Sequence, residues 1–406
     1  MSKHATLALL VTVGLAGPAP SQEIECESHS KKAQKSTVVF ASNRDNLTVP
    51  TGDAAEIYLI DLDVDVTGSP VLVRPRRLTE NADRDVLPAL SPDGKGRIVF
   101  DSNRVRRLAS PPEPNSSDLF LMKKDGSHQT FLARGSSATW SPDGKRIAFH
   151  RSASDTFVPP VGNPSPGAPT DDSDIFVAKI SRAQRPTNLT FEEDRHYINE
   201  DADWSPDGKR IAFARRSVDE NTFPSNSGDI WVMNADGTDK RRLTGRTGDV
   251  FEDKSPAWSP DSKLIAYSCR AGHADIAAQN PPDICVIKAD GSDPIPTRLT
   301  STPQGELGPH WLPSSAAGGN KILYQRPLPG QGQQIWILDL EKLDPMSGFP
   351  VAKQLTFAED GTNQFPNWGV IKANCGDEDG DDGEEDPEPG RKQGGLQHPF
   401  PQRLTR

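Results

Sequence analysis

The residues best placed to do chemistry are oxygen-bearing side chains that recur at one position. Asp85, Asn199, Asp253, Glu306 and Asn363 each stand three residues before a Pro or Ala, and Gly135 alone departs from the series. Glu200 and Asp201 adjoin Asn199, and His310 follows Glu306 closely. Carboxylates and amides brought together in a ring would offer oxygen ligands to a hard cation such as Ca²⁺, with Asp85, Asp253 and Glu306 as its charged members. The other reading is that each side chain caps its own turn through backbone amides. His150, His196, His273 and His310 are scattered, and no G-x-S-x-G, H-E-x-x-H, P-loop or C-x-x-C pattern occurs. No residue is therefore assigned a catalytic role from the sequence.

What would position such a ring is written in the repeats. PALSPDGKGRIVFDSNR (88–104), ATWSPDGKRIAFHR (138–151), ADWSPDGKRIAFAR (202–215), PAWSPDSKLIAYSCR (256–270) and the degenerate PHWLPSSAAGGNKILYQR (309–326) repeat one another. Their turn prolines, Pro92, Pro142, Pro206, Pro260 and Pro313, are 50, 64, 54 and 53 residues apart. Self-similarity at this period means a propeller or a solenoid. In each unit a Trp-ended strand A meets a Ser-Pro-Asp-Gly turn, in which Pro presets φ and Gly takes the positive-φ place. RIAF or LIAY is strand B; DLFLMK, DIFVAK, DIWVMN, DICVIK and QIWILD are strand C; RRLTG, TRLTS and KQLTF are strand D.

The chain starts out of phase. TVVFASNR (37–44) is a strand B without a strand A, and Gln364-Phe-Pro-Asn-Trp368-Gly is a strand A without a strand B. The expectation is an all-β six-bladed β-propeller of four-stranded antiparallel blades, its ring closed by the C-terminal strand joining the N-terminal blade. In such a ring the recurrent oxygen-bearing residues would converge on the mouth of the channel. The repeated Trp residues of the inner strand read as packing between blades. Asp118, Asp174, Asp229 and Asp283 of strand C are expected to pair with strand-B arginines such as Arg104, Arg151, Arg216 and Arg270.

The W-S-P-D-G-K-x-I-A-F turns and D-I-x-V-x-x-A-D-G-x-x-x-x-R-L-T returns resemble the WD-like repeat of TolB-type propellers, over 36–369. The likeness is to the propeller alone, since the separate α/β domain that precedes it in TolB has no counterpart here. Propellers of this type also precede the hydrolase domain of prolyl-oligopeptidase-type peptidases, for which this chain has no room.

Composition narrows the partners. The formal charge of −11 disfavours a nucleic-acid binder. Beyond the first twenty or so residues no apolar run approaches membrane-spanning length, so the protein is not integral to the membrane. Thr6 onward (TLALLVTVGLAG), followed by Ala19 and Ser21, reads as a secretory signal peptide. The resulting organisation is a signal peptide over 1–21, an extension over 22–35, the propeller over 36–374 and an acidic disordered tail over 375–406. Export to the periplasm or medium permits disulfides, and Cys269–Cys285 and Cys26–Cys375 are the expected pairs. The long Pro-rich B–C loops, such as 151–173, would form a recognition face. These observations lead to a monomeric, non-enzymatic module that binds an envelope or extracellular protein. The alternative is a propeller enzyme, a lyase or hydrolase on carbohydrate or peptide, with its site at the channel mouth.

Overall fold

Ile98, Val99 and Phe100 are consecutive and all buried, and so are Ile147, Ala148 and Phe149, and Ile211, Ala212 and Phe213. Side chains alternate across a strand, so an unbroken buried run requires packing on both faces of the sheet. The computed structural model describes residues 34–45, 55–64, 70–72, 75–104, 117–152, 173–183, 185–191, 197–217, 228–245, 253–270, 281–293, 295–312, 320–357 and 361–372. The expected signal peptide, most of the extension, the tail, the Cys26–Cys375 pair, His196, His273 and the long B–C loops lie outside these residues.

The strands follow the repeats. The first sheet holds β1 (Gln34–Ser42), β2 (Glu56–Val64), β3 (Pro70–Leu72) and β4 (Arg76–Arg77). The next holds β5 (Asp85–Leu90), β6 (Arg97–Ser102), β7 (Asp118–Lys123) and β8 (Thr130–Arg134). Then come β9 (Ser136–Trp140), β10 (Arg146–Ser152), β11 (Ser173–Lys179) and β12 (Thr187–Asn188), followed by β13 (Tyr197–Trp204), β14 (Arg210–Ser217), β15 (Asp229–Asn234) and β16 (Arg241–Arg242). Two more sheets hold β17 (Lys254–Trp258), β18 (Leu264–Cys269), β19 (Asp283–Lys288) and β20 (Thr297–Arg298), and β21 (Leu307–Trp311), β22 (Lys321–Leu328), β23 (Gly332–Leu343) and β24 (Pro350–Gln354). Finally β25 (Asn363–Lys372) returns to the first sheet, pairing antiparallel with β1 from Gln34↔Lys372 to Ser42↔Asn363.

The fold is an all-β propeller. The expected separate four-stranded blades appear as four sheets of four or five strands and one sheet of eight. The eight arise because a single parallel pair, Ser173↔Ile198, joins β9–β12 to β13–β16. The inner strands β5, β9, β13, β17, β21 and β25 each touch the next, and β25 touches β5. The core lies between sheets: Val39 and Ile57 of the first pack with Leu90, Ile98 and Phe100 of the second. Trp140 likewise packs with Ala89 and Val99 of the preceding sheet, donating its indole N–H to the Ala89 carbonyl at 2.9 Å.

A polar network recurs between neighbouring sheets. A strand-D threonine accepts the amide N–H of strand C at 2.9 Å in five places: Thr79 from Ile57, Thr190 from Ile175, Thr244 from Ile230, Thr300 from Ile284 and Thr356 from Ile335. The Thr79, Thr190 and Thr356 hydroxyls donate in turn to Glu56, Asp174 and Gln334 of strand C. Thr300 donates instead to Glu306, at the start of the next inner strand. Strand-B arginines reach the same starts: Arg104 to Asp85 at 2.8 Å, Arg215 to Asn199 at 2.7 Å, Arg326 to Glu306 at 3.0 Å and Arg44 to Asn363 at 2.8 Å. These guanidinium groups also lie over aromatic rings, as Arg326 does over Trp336 at 4.3 Å.

One expected pairing is corrected. For two of the four strand-C acids the arginine comes from strand D: Asp229 pairs with Arg242 at 2.8 Å and Asp283 with Arg298 at 2.5 Å. Strand D runs beside strand C, whereas the strand-B arginine is drawn inward to the next buried acceptor. Cys269 and Cys285 form a disulfide with Cα atoms 5.8 Å apart. They sit diagonally on β18 and β19, where Tyr267 pairs with Cys285 and Cys269 with Asp283.

Two stability measurements follow. Glu306 is fully buried and its cation is Arg326, so Arg326→Ala should cost about 3–5 kcal/mol in denaturant unfolding; a loss below 1 kcal/mol, roughly that of an exposed pair, contradicts the account. Cys269→Ser should cost roughly 3 kcal/mol, the chain-entropy value for a loop of this length, and reductant should then have no further effect.

Candidate functional site

The inner strands are not regular. Each carries a register shift against its neighbour, one extra residue forming a bulge. One residue in each adopts a left-handed backbone: Leu87 (φ 51°), Ser137 (57°), Asp201 (54°), Ser255 (52°), Gly308 (59°) and Phe365 (52°). Only Gly308 meets this conformation without steric cost, and a Leu or Phe there is held by its surroundings. Part of the hold is visible. The residue after the strand-B aromatic accepts the bulge N–H of the next sheet: Asp101 from Ser137 at 3.2 Å, Ser268 from Gly308 at 3.0 Å and Gln325 from Phe365 at 2.9 Å. His150 occupies the same position facing Asp201; its buried Nδ1 makes no hydrogen bond.

The bulges turn two layers of side chains inward, and two cavities of about 360 and 350 Å³ run along them. They share Ala89, Thr139, Asp203, His310 and Asn367. The first cavity lies at the Ser-Pro-Asp-Gly end and adds Trp140, Trp204, Trp258 and Trp311 together with turn prolines. The second adds the bulge residues themselves, including Ser137, Asp201, Ser255 and Phe365, and Lys254.

Asp203 stands where the two cavities meet. Its Oδ1 accepts the Thr139 hydroxyl at 3.1 Å and its Oδ2 the Trp258 amide N–H at 2.8 Å. Burial nevertheless pushes its carboxyl up to about 7, because those neutral donors offset only part of the desolvation of the charged form. Asp201 accepts Ser255 at 3.0 Å and Ser137 at 3.4 Å, hydroxyls from the strands on either side. His310 stands 3.5 Å from the Asn367 amide. Burial holds His150 below its usual range, against the opposing pull of Asp201. Asp101, bound by the Ser136 hydroxyl and the Ser137 amide, is raised by burial to about 7.

The expected ring divides. Asp201 and His310 do line the channel. Asp85, Asn199, Asp253, Glu306 and Asn363 do not gather there, being buried at the starts of their strands. Asp85, Asn199, Glu306 and Asn363 are engaged by arginine, as described above, and Asp253 by the Thr244 hydroxyl. Glu200, which pairs with Ala214 across β13 and β14, does not join them. Among the described residues no three His, Cys, Asp or Glu side chains are grouped to hold a metal, so the proposed Asp85, Asp253 and Glu306 cation set is not assembled. The physical reason is the need to satisfy a buried carboxylate, which an adjacent guanidinium or hydroxyl meets locally. Asp203, Thr139 and Asn367 were not singled out from the sequence. The signal lay in the residue just before each strand-A Trp, or before Leu90 in its place, which reads Ala89, Thr139, Asp203, Ala257, His310 and Asn367.

No protein-family model and no curated protein matches the chain. Solved structures resemble it in fold. An oligogalacturonate lyase from Vibrio parahaemolyticus is 12% identical, with 79% of this chain and 74% of that chain covered and a TM-score of 0.44. A puromycin hydrolase is 15% identical over 76% of this chain, which spans 44% of that protein, with a TM-score of 0.43. The β-propeller domain of the Trilobed protease from Pyrococcus furiosus is 13% identical, with 65% and 71% covered and a TM-score of 0.36. The similar structures are mostly enzymes, where the sequence had led to a non-enzymatic scaffold. At these identities the likeness is one of fold, so the activity has to be argued from the channel.

Asp253 offers a test of the buried acids. Burial raises its carboxyl to about 8. A raised acid destabilises the fold increasingly from its unfolded value near 4 up to about 8, by up to about 1.4 kcal/mol per pH unit. Asp253→Asn should therefore gain stability on the wild type as pH rises across that window, and the difference should vanish towards pH 4. A pH-independent difference contradicts the assignment.

Proposed function

We propose that this propeller is an enzyme, a hydrolase or lyase acting on carbohydrate, with its reaction in the channel at Asp203. The observation that carries the reading is the position of Asp203. A carboxyl titrating near 7, on the shared wall of two cavities, is populated in both protonation states at neutral pH. That is the condition for general acid–base catalysis. Tryptophan edges on one side, and Thr139, His310 and Asn367 on the other, suit the apolar faces and hydroxyls of a sugar. In hydrolysis, protonated Asp203 would give its proton to the leaving oxygen as the glycosidic bond breaks and water bonds to the anomeric carbon; in elimination, ionised Asp203 would take a proton from a sugar carbon as a C=C bond forms and the C–O bond breaks, the leaving oxygen taking a proton from water.

The architecture belongs to the same reading. Counted by four-stranded meanders, the eight-stranded sheet is two blades, which makes six, with β25 closing the ring on β1 as in a TolB-like propeller. Export to an oxidising compartment is supported by the Cys269–Cys285 bridge. Among the described residues no helix is long and apolar enough to cross a membrane.

The test is turnover on a panel of polysaccharides, followed by reducing ends and by unsaturated products. Asp203→Asn should lower kcat by about 10²–10⁴-fold, the usual worth of a positioned acid or base. Hydrolysis should fall as pH rises through about 7, and elimination should fall as pH drops through it. Full activity in Asp203→Asn overturns the reading.

A further inference from the structure

We infer that the bulge end of the channel is a subsite for a protonated primary amine of the substrate, with Asp201 as its counter-charge. The inference rests on the channel reading above and adds the substrate class to it. Asp201 and Phe365 line the same cavity of about 350 Å³. Asp201 is held from both sides, its Oδ1 by Ser137 and its Oδ2 by Ser255. Each oxygen thus takes one hydroxyl donor and keeps acceptor capacity for a third group.

Asp201 differs in its partners from the acids at the joints between sheets. Glu56, Asp85, Asp229 and Glu306 each have an arginine at 2.8–3.0 Å. The hydrogen-bond donors to Asp201 are neutral hydroxyls, and among the described residues no ion pair reaches it. Burial shifts His150, the titratable group behind it, towards its neutral form, against the pull of Asp201. Lys254 lines the same cavity without an ion pair to Asp201, and Asp203 and His310 lie one layer further along the channel. Of the six left-handed inward positions Asp201 is the one that carries a charge. A carboxylate held by two hydroxyls, and reached by no ion pair among the described residues, matches an ammonium group, which brings three donors and a positive charge.

Two kinds of molecule present this group, an amino sugar and the N-terminus of a peptide. The carbohydrate reading favours the first. The experiment titrates the protein with glucosamine tetramer and with its fully N-acetylated counterpart, and with a short peptide bearing a free or an acetylated N-terminus. The wild type should bind the free-amine sugar at least tenfold more tightly than the acetylated one. Asp201→Asn should abolish that preference, while Asp203→Asn should retain it. Asn tolerates the left-handed backbone, and an unchanged melting temperature of Asp201→Asn serves as the control for folding. A free-amine preference seen only with the peptides, and lost in Asp201→Asn, upholds the amine subsite and removes the carbohydrate reading. Equal binding of free and acetylated forms, retention of the preference in Asp201→Asn, or no binding of any probe overturns the subsite. Turnover of an uncharged polysaccharide would in that case still leave the reaction at Asp203 standing.

Discussion

A buried carboxylate has to be satisfied where it stands, and in this propeller that requirement joins each sheet to the next. Every described inner strand except β9 has, at or within two residues of its start, an acid or amide that is removed from water. Threonines at the end of one sheet and an arginine on the next complete the set at Glu306, and Arg104, Arg215 and Arg44 serve Asp85, Asn199 and Asn363. The join between the last sheet and the first has the same form: Gln334, Asn363 and Arg44 link residues more than three hundred positions apart. The closure thus has the hydrogen bonds of an internal boundary, with amides where other boundaries have carboxylates.

This constraint frees the channel to differ. The network fixes the start of every inner strand but β9, and a Ser-Pro-Asp turn fixes the end of β5, β9, β13 and β17. In that turn the Asp143 carboxylate accepts both the Ser141 hydroxyl and the Lys145 amide, and Asp207 repeats the pattern with Ser205 and Lys209. Between these fixed points the bulge turns its residues inward whatever their type. Leu87 and Phe365 adopt the same left-handed backbone as Gly308, which shows that packing and the capped bulge amide decide the conformation, not local preference.

The sequence carried most of the fold in its repeats. Turns such as Ser141–Gly144, the unbroken apolar strand-B runs and the phase offset between 37–44 and 364–369 were legible, because each reports a local backbone demand or burial on two faces. The bulges were not legible. Ser137, Asp201 and Phe365 share no side-chain type, and their left-handed backbone is imposed from the neighbouring sheet. The site was half legible. Repetition drew attention to Asp85, Asp253 and Glu306, but in this molecule repetition marks the joints. Asp203 occupies a column that varies from repeat to repeat, and it becomes visible only when the strands are closed around it. The strand-C arginine pairing was misassigned for a similar reason, since the guanidinium of strand B goes to the nearest buried acceptor in space.

The central claim is that Asp203 exchanges a proton near neutral pH inside the channel. Infrared difference titration of the protonated carboxyl band, comparing the wild type with Asp203→Asn, tests it most directly. The account predicts one carboxyl with a midpoint near 7 that is missing from the variant. Identical titrations of the two proteins above pH 5 would contradict it.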